Sequence, residues 1–292
     1  MELLAVLKQT KDLERIRYSG LDGVIFGSSF CLKSPLSIAT LKKVCEYCDL
    51  VSLKKYIVID AFVPEELKSE LYVYFDILLS CKVDGIYFHD LAVYDVALSY
   101  GRTDLLIYDG MTMMANSLEA SFFLNKGISG VVIGRELSLE EVTEMIGTFP
   151  NQLDMQVFGR FRLSYSKRDF LTDYFEETGQ LYDVRDRDDV TLMEETRNYK
   201  MPVIENNYGT QIYTDFIFEM YRELPILGPY LKRAIIDSAF IPEKLYFKVL
   251  RDYKRLTKDN VDFLRESLYN DYANEGLSSG YLYEKVNITK VK

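Results

Sequence analysis

Along the first half of the chain, short runs that are almost continuously apolar alternate with longer stretches of mixed polarity. The runs are "LLAVL" (3–7), "GVIFG" (23–27), "YIVID" (56–60), "GIYFHD" (85–90), "LLIYD" (105–109), "GVVIGRE" (130–136) and "MQVFG" (155–159). A strand with one wet face alternates apolar and polar residues. These do not, so both faces of each are expected to be covered. Several segments between them carry helix boundary signals. "SLEEVTEMIG" offers Ser138 as an N-cap, Glu141 placed to reach back, and Gly147 near the stop. "VPEELKSELYVYFDILLSCK" has Pro64 in its first turn and two acids beside the positive end of the helix. "TKDLERIRYSG" closes on Gly20, and the connection between the fourth and fifth runs leaves room for a brief helix only. An eighth run, "RAIIDS" (233–238), precedes the amphipathic "IPEKLYFKVLRDYKRL". Strands alternating with helices predict a parallel sheet. Eight such units without a phosphate-loop signature predict an α/β fold, a TIM-like (β/α)8 barrel with irregularities.

The texture changes between the seventh and eighth runs. "QLYDVRDRDDVTLMEETRNYKMPVIENNYGTQIYTD" (180–215) mixes alternating and charged residues, and "NNYG" is a turn signal. The expected division is a barrel over 1–179 and 228–256, a β-rich insertion over its mouth at 180–227, and a C-terminal helix with an extended, moderately basic tail at 257–292.

Composition narrows the picture. With 292 residues and 48% hydrophobic content the chain can bury a large core. No apolar run approaches the ~20 residues needed to span a bilayer, and Met1–Leu7 runs into a strand without a basic leader. A cytoplasmic protein with no membrane partner is expected. The formal net charge of -10 argues against unaided, tight binding to bare nucleic acid. It leaves open a local basic strip or a partner subunit. The four cysteines, Cys31, Cys45, Cys48 and Cys81, are expected as free thiols. "CEYC" (45–48) has CxxC spacing, but it sits in a helical pattern with no second pair. Core packing therefore explains it better than a metal or redox site.

In a barrel of this kind the chemistry gathers at the carboxyl ends of the strands. Those ends form a ring of Ser28, Ser29, Asp60, His89, Asp90, Asp109, Arg135, Glu136, Arg160, Arg162 and Asp237. Carboxylates facing one another repel, so either some titrate high or the arginines neutralise them. The alternative is that Asp60, Asp90 and Asp109 cap the helices that follow. His89 is the only histidine, which excludes a multi-histidine metal site and leaves one imidazole as general base or structural group. We take His89, Asp90 and Glu136 as candidate catalytic residues. Asp60, Asp109, Arg135, Arg160, Arg162, Tyr165, Lys167 and Arg168 are the candidate substrate contacts, and no metal ligands are expected. There is no GxSxG elbow, Walker loop or HExxH motif.

"GLDGVIFG" (20–27), "GVVIGRELSLEEV" (130–142) and "VFGRFRLSYSKRDFLTDYF" (157–175), in this order and spacing, resemble the U32 peptidase family. "PVIENNYGTQIYTD" (202–215) and "SGYLYEKVNITKVK" (279–292) are similar to segments of its short, cysteine-poor branch. The resemblance implies a TIM-like barrel. The family has historically been called protease or collagenase, and several members are associated with hydroxylation of a tRNA wobble uridine, a ribosomal RNA cytidine or a quinone ring. Those members typically carry an iron–sulfur cluster on four cysteines, the first two within His-Gly-x-x-Cys-x-x-x-x-Gly-x-Cys. Here the histidine becomes Phe158, Gly159 is kept, the cysteines become Arg162 and Asp169, and the second glycine becomes Lys167. No cysteine follows Cys81, so ligation in the family's manner is impossible. No cofactor is expected.

That departure leaves a basic loop where relatives hold a cluster. Guanidinium forks there suit a small carboxylate or a phosphate; an acidic face of a sister subunit would suit them equally. The resemblance implies an accessory subunit in tRNA wobble-uridine 5-hydroxylation, partnered by a longer cysteine-bearing U32 paralogue, reaching tRNA through that complex and drawing on a prephenate-derived input. The alternatives are a peptidase, for which the sequence supplies no nucleophile motif, and a non-catalytic binding or scaffold barrel.

Overall fold

The first seven apolar runs become β1 (Glu2–Val6), β2 (Gly23–Gly27), β3 (Lys54–Ile59), β4 (Gly85–Phe88), β5 (Leu106–Asp109), β6 (Gly130–Val132) and β7 (Leu153–Gly159). The structure is a computed structural model, describing residues 1–111, 113–180, 182–193, 195 and 199–284. After β7 the chain builds β8 (Arg162–Ser166), β9 (Thr191–Met193), β10 (Lys200–Asn206), β11 (Gly209–Tyr213) and β12 (Ile217–Glu219), then returns as β13 (Arg233–Ile236). β1 to β7 pair in parallel in sequence order. β13 pairs in parallel with both β1 and β7, which closes an eight-stranded cylinder. The predicted TIM-like barrel is therefore present.

Helices α1 (Leu13–Tyr18), α2 (Ile38–Val51), α3 (Lys68–Ser80), α4 (Leu91–Ser99), α5 (Ser117–Leu124) and α6 (Leu139–Thr148) fill the connections between strands. The Ser138–Glu141 capping box starts α6 as expected. α7 (Phe170–Glu177) and α8 (Leu224–Leu227) precede β13, and α9 (Glu243–Arg255) and α10 (Val261–Asp271) follow it. Cys45 and Cys48 are buried on α2 and packed in the main core. None of the described helices is long and apolar enough to cross a membrane.

Two packed layers hold the barrel. The larger lies between strands and helices and includes Phe75, Phe88, Phe158 and Phe247. The smaller fills the cylinder with Leu4, Ile25, Tyr56, Tyr87, Ile107, Val132 and Ile235. At the amino-terminal end, Asp154 is fully buried and receives Arg233 Nε at 2.7 Å and Tyr87 Oη at 2.8 Å. A charge pair placed there is tolerated only because every partner is fixed.

The antiparallel sheet β8-β11-β10-β9 stands over the carboxyl ends of the strands. It draws in Arg162–Ser166, ahead of the change in texture at 180, and Ile217–Glu219 rejoins the cylinder as an antiparallel partner of β7. A short β14 (Leu277–Ser278) lies beside β12. The sheet clamps the loop after β2: Tyr208 Oη donates to Ser29 O, and Asn206 Nδ2 and Gln211 Nε2 both donate to Leu32 O. Of the extended, moderately basic tail expected within 257–292, residues 285–292 lie outside the described residues.

Candidate functional site at the mouth of the barrel

Strand ends converge on a cavity of about 120 Å³. Its charged lining is Lys8, Lys33, Asp60, Asp109, Arg135, Arg160, Arg162 and Asp237, with Tyr87, Gln156 and Tyr213 among the uncharged groups. Alternation along β7 explains one of these. Asp154 and Gln156 turn into the cylinder, while Met155, Val157 and Phe158 turn to the helices.

Two ion pairs brace the rim. Arg135 grips Asp109 with both terminal nitrogens, at 2.9 and 2.8 Å, and donates from Nε to Gln156 Oε1 at 2.9 Å. Burial pushes the Asp109 carboxyl up, but the charge and hydrogen bonds of Arg135, with Arg162 beyond, hold it well below the usual carboxylate range. Arg162 reaches from the antiparallel sheet to Asp60 at 2.5 Å, and Asp60 also accepts from the Leu32 amide at 2.8 Å. One side chain thus ties the second sheet to β3 and to the loop after β2.

The remaining charges are less compensated. Among the described residues Arg160 donates only to main-chain oxygens, of Thr214 at 3.0 Å, Asp215 at 2.6 Å and Phe240 at 3.4 Å. Asp237 accepts from the Ala239 amide at 2.7 Å and has no salt bridge among the described residues; burial raises its pKa. Lys33 Nζ lies 3.6 Å from the centre of the Phe240 ring and 5.6 Å from that of Tyr213. Through Nζ it makes no hydrogen bond or salt bridge among the described residues. Five cationic residues against three carboxylates line the cavity of a chain that is acidic overall. Such a lining gives the mouth a net positive charge.

Glycine matters at one position here. Gly159 has φ +118°, and a Cβ there would lie 2.8 Å from the Asp237 side chain and carbonyl. This glycine lets β7 pass Asp237 on its way to Arg160.

Of the residues singled out in the sequence, Asp60, Asp109, Arg135, Arg160 and Arg162 meet at the cavity. Asp90 instead caps α4: its oxygens accept the amides of Ala92 and Val63, each at 2.9 Å. His89 is half-buried behind the rim, with Nδ1 3.1 Å from the Asp109 carbonyl and its ring 5.3 Å from Phe62. Tyr165 stacks on Phe62 at 4.9 Å and donates to Tyr208 O at 3.0 Å. Glu136, Lys167 and Arg168 are exposed and do not line the cavity. Lys33, Gln156 and Tyr213 line it without having been foreseen. Lys33 sits in an irregular loop, Gln156 inside a strand, and Tyr213 on the second sheet, so strand ends alone do not point to them.

A family model for peptidase family U32 matches residues 10–291. The chain belongs to this family. It is 25% identical over 217 residues to tRNA hydroxylation protein P2 of Bacillus subtilis (strain 168), covering 72% of this chain and 70% of that protein. The solved structure of the U32 peptidase Mk0906 is similar, with a TM-score of 0.52 at 14% identity, over 82% of this chain and 92% of that one. The barrel is thus a U32 barrel. The cluster that the family resemblance implies does not fit the residues present in this U32 chain. Arg162 is committed to Asp60, and Asp169 pairs with Arg185 at 2.6 Å. Cys45 and Cys48 are buried on α2, and Cys81 lies at the end of α3. Burial pushes the Cys48 thiol up to about 12 and the Cys31 thiol well above its usual range. Thiols that burial keeps protonated do not make a cluster cradle. Among the described residues no group of three or more His, Cys, Asp or Glu side chains is placed to hold a metal ion.

Proposed function

We propose that this U32 protein takes part in tRNA wobble-uridine 5-hydroxylation as an accessory subunit without an iron–sulfur cluster of its own. The similarity to tRNA hydroxylation protein P2 carries this reading. The mouth supports it by offering a cavity of about 120 Å³ with an excess of cationic side chains, which suits a small carboxylate. A cysteine-bearing U32 paralogue would supply the redox centre and the main tRNA contacts, since an acidic chain is a poor phosphate binder alone. The working place would be the cytoplasm, with tRNA.

Peptide hydrolysis finds little support in the geometry. Both oxygens of Asp90 are spent on main-chain amides, and Glu136 lies outside the cavity. The one hydrogen bond of His89 among the described residues involves a main-chain carbonyl. No activated nucleophile or water-activating acid pair results.

Deleting the gene and measuring 5-hydroxyuridine in total tRNA by mass spectrometry tests the proposal. Loss of the modified nucleoside is expected; an unchanged level rejects it. Co-purification of the paralogue with tagged protein tests the partner.

A further inference from the structure

The loop after β2 holds one lysine by its backbone and leaves its ammonium with no hydrogen bond or salt bridge among the described residues. The Leu32 amide donates to Asp60 Oδ1 at 2.8 Å, and the Leu32 carbonyl receives Asn206 and Gln211. The Lys33 carbonyl receives the Cys31 thiol at 2.8 Å. Four groups, from the end of β3, from β10, from β11 and from the loop itself, therefore fix the backbone of Leu32 and Lys33. Its half-buried side chain runs into the mouth and ends over the faces of Phe240 and Tyr213.

The surroundings explain what such a placement is good for. Arg135, Arg160 and Arg162 already supply positive charge that cannot be discharged. A lysine adds what a guanidinium does not, a nitrogen that can lose its proton and attack carbon. Burial pulls the Lys33 ammonium down to about 8; Lys8 acts in the same direction, while Asp237, Asp188 and Cys31 pull against it. Asp237 lines the same cavity and holds no salt bridge among the described residues.

We propose that Lys33 condenses with the carbonyl group of a small oxo-carboxylate bound in the mouth, forming an imine. Asp237 takes one proton from the ammonium, and the freed amine adds to the carbonyl carbon. One N–H proton moves to the former carbonyl oxygen. Asp237 then returns its proton to the resulting hydroxyl, which leaves as water, so the positive charge ends on the iminium nitrogen. No oxidant or reductant is needed. Arg160 and Arg162 would face the carboxylate. The inference rests on reading the mouth as a carboxylate site, but not on tRNA hydroxylation.

The test uses the full-length protein with pyruvate as probe and sodium cyanoborohydride as trap, followed by intact-mass analysis and peptide mapping. One adduct per chain at Lys33 is expected. At neutral pH, the free-amine fraction of a group near 8 exceeds that of an ordinary lysine by on the order of 10²-fold, so surface lysines serve as internal controls. Acetone, a carbonyl without a carboxylate, should label Lys33 far less, and Lys33→Arg should abolish the adduct while retaining the wild-type circular dichroism spectrum. Saturable pyruvate binding by calorimetry with no Lys33 adduct overturns the imine and leaves the carboxylate site standing. Neither binding nor adduct overturns both, as does labelling spread evenly over surface lysines.

Discussion

Replacing Arg135 by Gln isolates how the mouth is held together. The substitution removes two hydrogen bonds to Asp109 and one to Gln156. It leaves a carboxylate whose side chain is only 19% exposed with the Met111 amide as its remaining donor. Breaking one half of a buried pair costs about 3–5 kcal/mol. Partial water access here reduces the expected loss to about 2–3 kcal/mol. With an unfolding entropy of about 2.1 cal/mol/K per residue, a chain of 292 residues loses ~4 °C in Tm. The second substitution, Asp109→Asn, should recover most of the deficit by removing the stranded charge. The pH dependence supplies a further check. Asp109 is held low in the folded protein, so its contribution is fully present above the unfolded value near 4 and fades as pH falls through the folded value. In Arg135→Gln, burial dominates and raises that carboxyl. The gap between variant and wild type should therefore be widest at neutral pH and narrow toward about pH 4. Urea unfolding at both pH values measures it. A loss under ~1 kcal/mol, or a gap independent of pH, would refute this account of the pair.

Asp90→Ala should cost about 1 kcal/mol of stability through the lost α4 cap and leave anion binding at the mouth unchanged by calorimetry; a selective loss of binding would instead restore Asp90 to the site. Asp154→Asn strands the buried Arg233 guanidinium and should cost roughly 3 kcal/mol or more in urea unfolding, at least as much as the rim change Arg135→Gln. Tyr208→Phe loses the hydroxyl that holds Ser29 O, and hydrogen exchange of the loop after β2 should quicken, while exchange in β4 and β5 stays as it was.

The apolar runs made the cylinder legible because strands covered on both faces have little alternative use for continuous Val, Ile and Leu. Capping chemistry was equally plain at Ser138, where side-chain spacing and backbone demand coincide. Charged residues at strand ends were harder. Asp60, Asp90 and Asp109 look alike in sequence, yet Asp90 turns to the first turn of α4, whereas the other two meet arginines arriving from distant parts of the chain. No local signal separates these fates. Lys33 was invisible for a related reason. Its placement depends on Asn206 and Gln211 meeting Leu32 across more than 170 residues of chain. The antiparallel sheet begins at Arg162 because its strand pairs with Gly209–Tyr213, a long-range match that local texture does not announce.

The most direct measurement is the 5-hydroxyuridine content of total tRNA from cells whose sole copy of the protein carries Lys33→Met, with abundance of the variant verified by immunoblot. If the mouth of the barrel serves the modification, the content falls at least tenfold while the protein persists at its normal level. A content equal to wild type at equal abundance would contradict the account, leaving a U32 barrel whose mouth has no part in the chemistry.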